Sequence, residues 1–168
     1  TPSPSGSINS NAVSIGGQNV GGLDPTSGPA PSNPSIGQKG ATLQEIKLTA
    51  SSTEDVWLNR IALIETGTIS NNLLTNFALK DVSSGETVAT VATIDNKDLI
   101  TFVLAEPFRI EKGQEKNFKI IGDISGAARR SDTIILRMDE ATDISATGVT
   151  YGYPVLSTIA GLDTDGEA

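Results

Sequence analysis

Cysteine and histidine are both missing from this 168-residue chain. Without cysteine there are no disulfides, no thiol nucleophile and no zinc–thiolate site. Without histidine the commonest general base and the commonest metal ligand are gone as well. Aromatic side chains are scarce, with one Trp, two Tyr and four Phe, so any core must rest on Ile, Val and Leu. Basic residues are outnumbered 12 to 20, giving a net charge of −8. That balance excludes a nucleic-acid binder, which needs clustered Lys and Arg to neutralise phosphates. The one adjacent basic pair, Arg129-Arg130, stands beside Asp132 and reads as a solvated loop. No apolar run approaches the ~18 residues of a membrane helix, so no membrane span is expected. Thr1 opens into Pro and Ser rather than a signal peptide, so an exported form would carry its signal upstream or have shed it.

Catalytic motifs are equally scarce. No G-x-S-x-G elbow occurs, and "SIGGQNVGG" lacks the Lys and the strand–helix context of a phosphate loop. The adjacent acids Glu54-Asp55 could serve glycoside hydrolysis only by facing another carboxylate across a cleft. Neighbours on a strand point to opposite faces, so the pair alone cannot do this, and Asp55 is expected to bond backbone at a turn. No catalytic residue and no cofactor are expected, and the chain reads as a non-enzyme.

What is present divides into three parts. Residues 1–38 form a Pro/Gly/Ser-rich tail and spacer holding six of the eight prolines; Asp24 is its one charge before Gln38-Lys39. Such a composition builds no core of its own. Residues 39–153 form the domain, and residues 154–168 a C-terminal extension. Within the domain, apolar residues alternate at strand spacing. In "LQEIKLTA", Ile46, Leu48 and Ala50 share a face. "VWLNRIALIE" changes parity between Val56/Leu58 and Ile61/Leu63, which a β-bulge near Asn59-Arg60 reconciles. Further strands carry Phe77 and Leu79, then Thr87 to Thr93, then Phe102 and Leu104 with Phe108 and Ile110. Pro107 within that segment marks an edge or a break. Phe118, Ile120 and Ile124, then Ile134, Leu136 and Met138, define two more, and a last strand spans roughly Ile144 to Gly152. About eight short strands with no helical period predict an all-β, two-sheet antiparallel sandwich preceded by an extended tail.

The order "SSTEDVWLNRIAL", "LKDVSSGETV", "FRIEKGQEKNFKIIGDIS" and "ATGVTYG" resembles the repeated Ig-like β-sandwich modules of large bacterial cell-surface, S-layer-like or filament proteins. The resemblance covers roughly Ile36 to Gly152, and its most specific part runs from Phe108 to Asp123. It implies a structural or adhesive unit outside the cell and brings no catalytic residues with it. The tail and the C-terminal extension lie outside it.

Two acidic clusters carry a calcium reading beside a plainer one. "RMDEATD" holds Asp139, Glu140 and Asp143, and "LDTDGEA" holds Asp163, Asp165 and Glu167. Calcium takes six to eight oxygens. Neither spacing names enough, so both are read as solvated acidic segments, and no metal is expected. Trp57, Tyr151 and Tyr153 are the aromatics placed to form an interface patch or to face a sugar; core-edge packing is the alternative. The Ser/Thr-rich tail suits O-linked glycans, and no N-x-S/T sequon occurs.

The tail itself carries the functional expectation. Val13 and Ile15 alternate with Ala12, Ser14 and Gly16 as a short one-faced strand, and Val20 and Leu23 follow. A sandwich with an open edge accepts an added strand. Val13, Ile15, Val20 and Leu23 are therefore the expected self-association residues, with "PTSGPAPSNP" as spacer. The expected partners are other copies of the chain, with glycans or other surface proteins as further partners. The alternatives are a tail folded back on its own domain, or an adhesion module in a larger surface protein. The expected location is extracellular or on the cell surface.

Overall fold

The computed structural model describes residues 20–159, and all of its regular structure other than two single-turn 3-10 segments is β. Nine strands run in chain order: β1 (Leu23–Ser27), β2 (Ala41–Ala50), β3 (Val56–Glu65), β4 (Leu74–Asp81), β5 (Thr87–Thr93), β6 (Leu99–Ile110), β7 (Glu115–Ile124), β8 (Leu136–Arg137) and β9 (Ile144–Gly148). They form two antiparallel sheets, one in the order β1-β2-β7-β4-β5, the other β6-β3-β8 with β9 also pairing β3. The alternating apolar faces meet between the sheets. Ile46, Leu48, Phe77, Leu79, Phe118 and Ile120 from the larger sheet are buried with Leu58, Ile61, Leu63, Ile100 and Phe102 from the smaller. Phe108 packs edge-on against Phe118, centroids 5.1 Å apart, one of few aromatic contacts this composition allows.

The parity change in β3 is a bulge. Leu58 pairs with Phe108 and Ala146, and Arg60 with Val103 and Ser145, leaving Asn59 as the extra residue. The extra residue returns Ile61 and Leu63 to the core. The β6 ladder jumps from Val103 to Phe108 across the same point, and Pro107 falls in the stretch so released. β6 is an edge strand, where a residue without an N–H is tolerated. "TIILRM" makes only a two-residue strand: Leu136 and Met138 are buried as expected, while Ile134 is half-buried. The last strand stops at Gly148 and gives way to a turn.

The ninth strand comes from the tail. β1 pairs antiparallel with β2 from Leu23↔Ala50 to Ser27↔Ile46. Leu23 has no exposed surface and belongs to its own chain's core, a burial that contributes about 1.5–3 kcal/mol. The first three residues of the expected spacer, Pro25 to Ser27, are therefore strand rather than linker. Pro25 is tolerated because β1 is the outermost strand of its sheet. The C-terminal extension is tied in at the same place: Gly22 bridges Leu156 in parallel, the Leu23 N–H donates to the Leu156 carbonyl at 3.0 Å, and Pro154 bridges Thr147.

Candidate assembly surfaces at the two ends of the sandwich

β3 runs down the middle of the smaller sheet and is bounded at each end by a buried carboxylate. Glu54, two residues before β3, is 3% exposed, and Glu65, its last residue, is 5% exposed. The two mark opposite poles of the sandwich.

At the Glu54 pole, three segments converge on one side chain. Its Oε1 accepts the Gly21 N–H at 3.3 Å, and its Oε2 accepts the N–H groups of Thr150 at 2.9 Å and Tyr151 at 3.3 Å. A carboxylate is an acceptor with several lone pairs, so one residue can gather donors from strands that do not pair with each other. Gly148 is required here, since a methyl group at that position would overlap the Glu54 carboxylate. Ser51 adds a second tie: its Oγ accepts the Gly22 N–H at 2.9 Å, and its N–H donates to the Gly22 carbonyl. Asp55, also before β3, has different partners. It accepts the Lys112 N–H at 2.9 Å and pairs with Arg109, and these bonds, the backbone one first, hold its carboxyl below the ordinary value.

At the Glu65 pole, one oxygen accepts two backbone N–H groups. Oε1 accepts from Gly67 N–H at 2.9 Å and Ile135 N–H at 3.2 Å. Burial pushes this carboxyl above its ordinary value, the two N–H donors opposing it. Above it lies a groove of about 980 Å³, between the start of β2, the Pro31–Ile36 loop that precedes it and the segment leading into β8. Leu43, Ile69 and Ile124 are its buried apolar lining, and the exposed Ile36 and Ile135 also line it. Arg129 and Arg130, the expected solvated loop, line it too. β1 covers β2 only over Ile46–Ala50, with the Gly28 N–H reaching the Glu45 carbonyl at 2.8 Å. Beyond that point, β2 has β7 on one side and no described strand on the other.

The expected site residues fall as follows. Val13 and Ile15 lie outside the described residues. Val20 is partly exposed at the Glu54 pole, and Leu23 is buried within its own chain. Over Val20 to Ser27 the tail is folded back on its own domain. Tyr151 and Tyr153 are exposed in the turn after β9, while Trp57 is half-buried. Asp143 spends its carboxylate on the N–H groups of Asp139 and Glu140, both at 3.0 Å, capping the turn Ala141–Asp143. Among the described residues no group of three or more acidic side chains is placed to hold a metal ion. Asp163, Asp165 and Glu167 lie outside them. Also among the described residues, no helix is long and apolar enough to cross a membrane.

Glu54 as a three-way tie and the groove itself were not foreseen from the sequence. Glu65 left a signal: it continues the inward parity of Ile61 and Leu63, which a charged residue does only with partners waiting. Comparison of the chain with protein-family models, with curated proteins and with solved structures finds no match.

Proposed function

We propose that this chain is an extracellular structural subunit, an Ig-like sandwich that assembles head to tail by passing its N-terminal strand to the next copy. The observation that carries this reading is polarity: the chain departs toward its N-terminus at one pole, and the uncovered edge of β2 lies at the other. Because β1 is antiparallel to β2, the chain before Leu23 runs off past Ala50, away from Leu43. From Ser51 back to Leu43 is eight residues of strand, about 26 Å at ~3.3 Å per residue. Ile15 stands five residues before Val20, a reach of at most ~18 Å. The segment at Val13 and Ile15, read from the sequence as a one-faced strand, is too short-tethered for its own groove but would reach a neighbour's. There it would add to the bare edge of β2 and set its two apolar side chains against Leu43, Ile69 and Ile124. Such a contact is heterologous and does not close on itself, so repetition gives a linear assembly.

An adhesion module is the second reading, favoured by the exposed pair Tyr151 and Tyr153 at the Glu54 pole.

The test compares the full chain with a Val13→Asp/Ile15→Asp variant by sedimentation velocity over a concentration series. The expected result is a ladder of oligomers for the parent and, for the variant, loss of that ladder with the fold kept. Identical distributions would overturn the strand-passing reading.

A further inference from the structure

β5 is the far edge of the five-stranded sheet, and it is built unlike every other edge. Exposed strand edges invite pairing and are ordinarily blunted by charge, proline, brevity or irregularity. β1 has five residues with Asp24 and Pro25, β8 has two and β9 five. β6 is long but carries Glu106 and Pro107 where its ladder breaks. β5 reads Thr87-Val-Ala-Thr-Val-Ala-Thr93, seven residues with no charge and no proline. Its single irregularity is at one end, between its pairings to Leu79 and Lys80. Beyond that, Ala89 to Thr93 runs regularly beside β4, and no described strand pairs with its other side.

The backbone direction follows from the neighbouring bonds. The Asp81 N–H donates to the Glu86 carbonyl at 3.0 Å, while the Val82 N–H donates toward β7, to Asn117, at 2.9 Å. Odd positions of β4 therefore face β5, and the pairs Leu79↔Ala89 and Phe77↔Val91 exchange bonds. Thr90 and Ala92 accordingly turn their N–H and C=O groups outward. Thr90 and Ala92 are also exposed in their side chains.

We infer that β5 pairs antiparallel with β5 of a second copy, about a two-fold axis through Thr90. The occupant is specified by the order of residues, which is self-complementary when reversed. Thr87 meets Thr93, Val88 meets Ala92, Ala89 meets Val91 and Thr90 meets itself, so polar faces polar and apolar faces apolar along the ladder. The flanks agree: Glu86 falls opposite Ile94 and Asp95 opposite Gly85, so no like charges oppose each other. In a chain of net charge −8, a neutral edge of this length is where two copies approach at least electrostatic cost. This contact is isologous and separate from the groove, and joins two five-stranded sheets into one of ten.

Cysteine-free background makes the test direct. Across a bonded antiparallel pair the Cα atoms are about 5.5 Å apart, within the ~4.4–6.8 Å a disulfide spans. Thr90→Cys in the full chain, under mild oxidation, should give a covalent dimer at least tenfold faster than Val103→Cys, a control at an exposed position of β6. Thr90→Lys places two ammonium groups face to face and should abolish the dimer while circular dichroism stays unchanged. Raising the salt should tighten dimerisation of the parent by screening the repulsion between copies. Equal cross-linking at positions 90 and 103, or a Thr90→Lys chain that dimerises as the parent does, overturns the inference. The Thr90→Cys cross-link should persist in the Val13→Asp/Ile15→Asp background. Its disappearance there would mean that the tail, not a second β5, occupies this edge.

Discussion

The two poles of the sandwich use the same residue for opposite ends. Glu54 and Glu65 are both buried, both flank β3, and both accept backbone N–H groups. Glu54 engages both oxygens and gathers the N-terminal segment and the turn after β9 onto one point, which closes its pole. Glu65 engages Gly67 and Ile135 through one oxygen and leaves a groove above it. Glu54 locks chain segments together; Glu65 supports a rim. An end that must hold a departing chain and an end that must admit one would be built in these two ways.

The largest effect belongs to the closed pole. Glu54→Ala strands three backbone donors, and Gly148→Ala drives a methyl group into the carboxylate that serves them. Each should destabilise the fold by about 3–5 kcal/mol, read from urea unfolding. Glu54→Gln should still cost about 2–3 kcal/mol, because its amide presents N–H to N–H on one side. If the glutamine variant unfolds at the parent's urea midpoint, the three-way tie is not what closes this pole.

Much of this architecture was legible beforehand, and the misses have physical reasons. Alternation exposed eight strands and the bulge in β3, because one buried face per strand leaves a period-two signature. β1 was hidden: its pattern Leu-Asp-Pro-Thr-Ser carries one large apolar residue, and Pro25 argues locally for a linker. Its strand character comes from β2, 20 residues on, which local pattern cannot report. One consequence is that deleting residues 1–34 would remove β1 and Leu23 from the core, so a test of the tail must stop before Val20. The groove was invisible for the same reason, being made of residues drawn from β2, β7 and three loops. Asp55 bonds backbone as expected, at the Lys112 N–H, but the burial of Glu54 depended on Gly21, Thr150 and Tyr151, far away in sequence.

A smaller effect separates the poles by pH. Glu65→Gln keeps a carbonyl oxygen for both Gly67 and Ile135, so at neutral pH it should cost under about 1 kcal/mol, or stabilise. Burial raises the Glu65 carboxyl above its ordinary 4.5. The folded state then holds its proton longer than the unfolded one, so this contribution is present at low pH and lost as pH rises above 4.5. Asp55, Asp95 and Asp123 behave oppositely. Lys112 N–H and then Arg109 lower Asp55; Leu99 and Lys97 N–H groups lower Asp95; Asn76 and then the Gly40 N–H lower Asp123. Asp81 is lowered too: burial is its largest single influence and raises it, but the Ser83 and Ser84 hydrogen bonds together outweigh that. Their stabilisation is present above 3.8 and lost as pH falls below it. Urea melts from pH 3 to 7 should show both limbs in the parent. In Glu65→Gln the decline above 4.5 should vanish while the acid limb stays, and an unchanged upper limb would remove Glu65 as its source.

The smallest expected effect on stability is the sharpest test of the open pole. Ile135 is exposed on the groove, and only its backbone N–H serves Glu65. Ile135→Asp leaves that bond in place and exchanges one exposed side chain for another, so the urea midpoint should shift by no more than about 0.5 kcal/mol equivalent. Head-to-tail assembly should nonetheless fail, since an incoming apolar strand would meet a carboxylate it cannot pair with. The same substitution at Tyr153, 59% exposed at the closed pole, should leave assembly through the groove intact. Sedimentation of the two variants side by side decides the matter. Loss of the oligomer ladder beyond a dimer for Ile135→Asp alone supports a groove that receives a neighbour's strand. Loss for Tyr153→Asp alone would move the contact to the closed pole and reverse the roles given to the two ends.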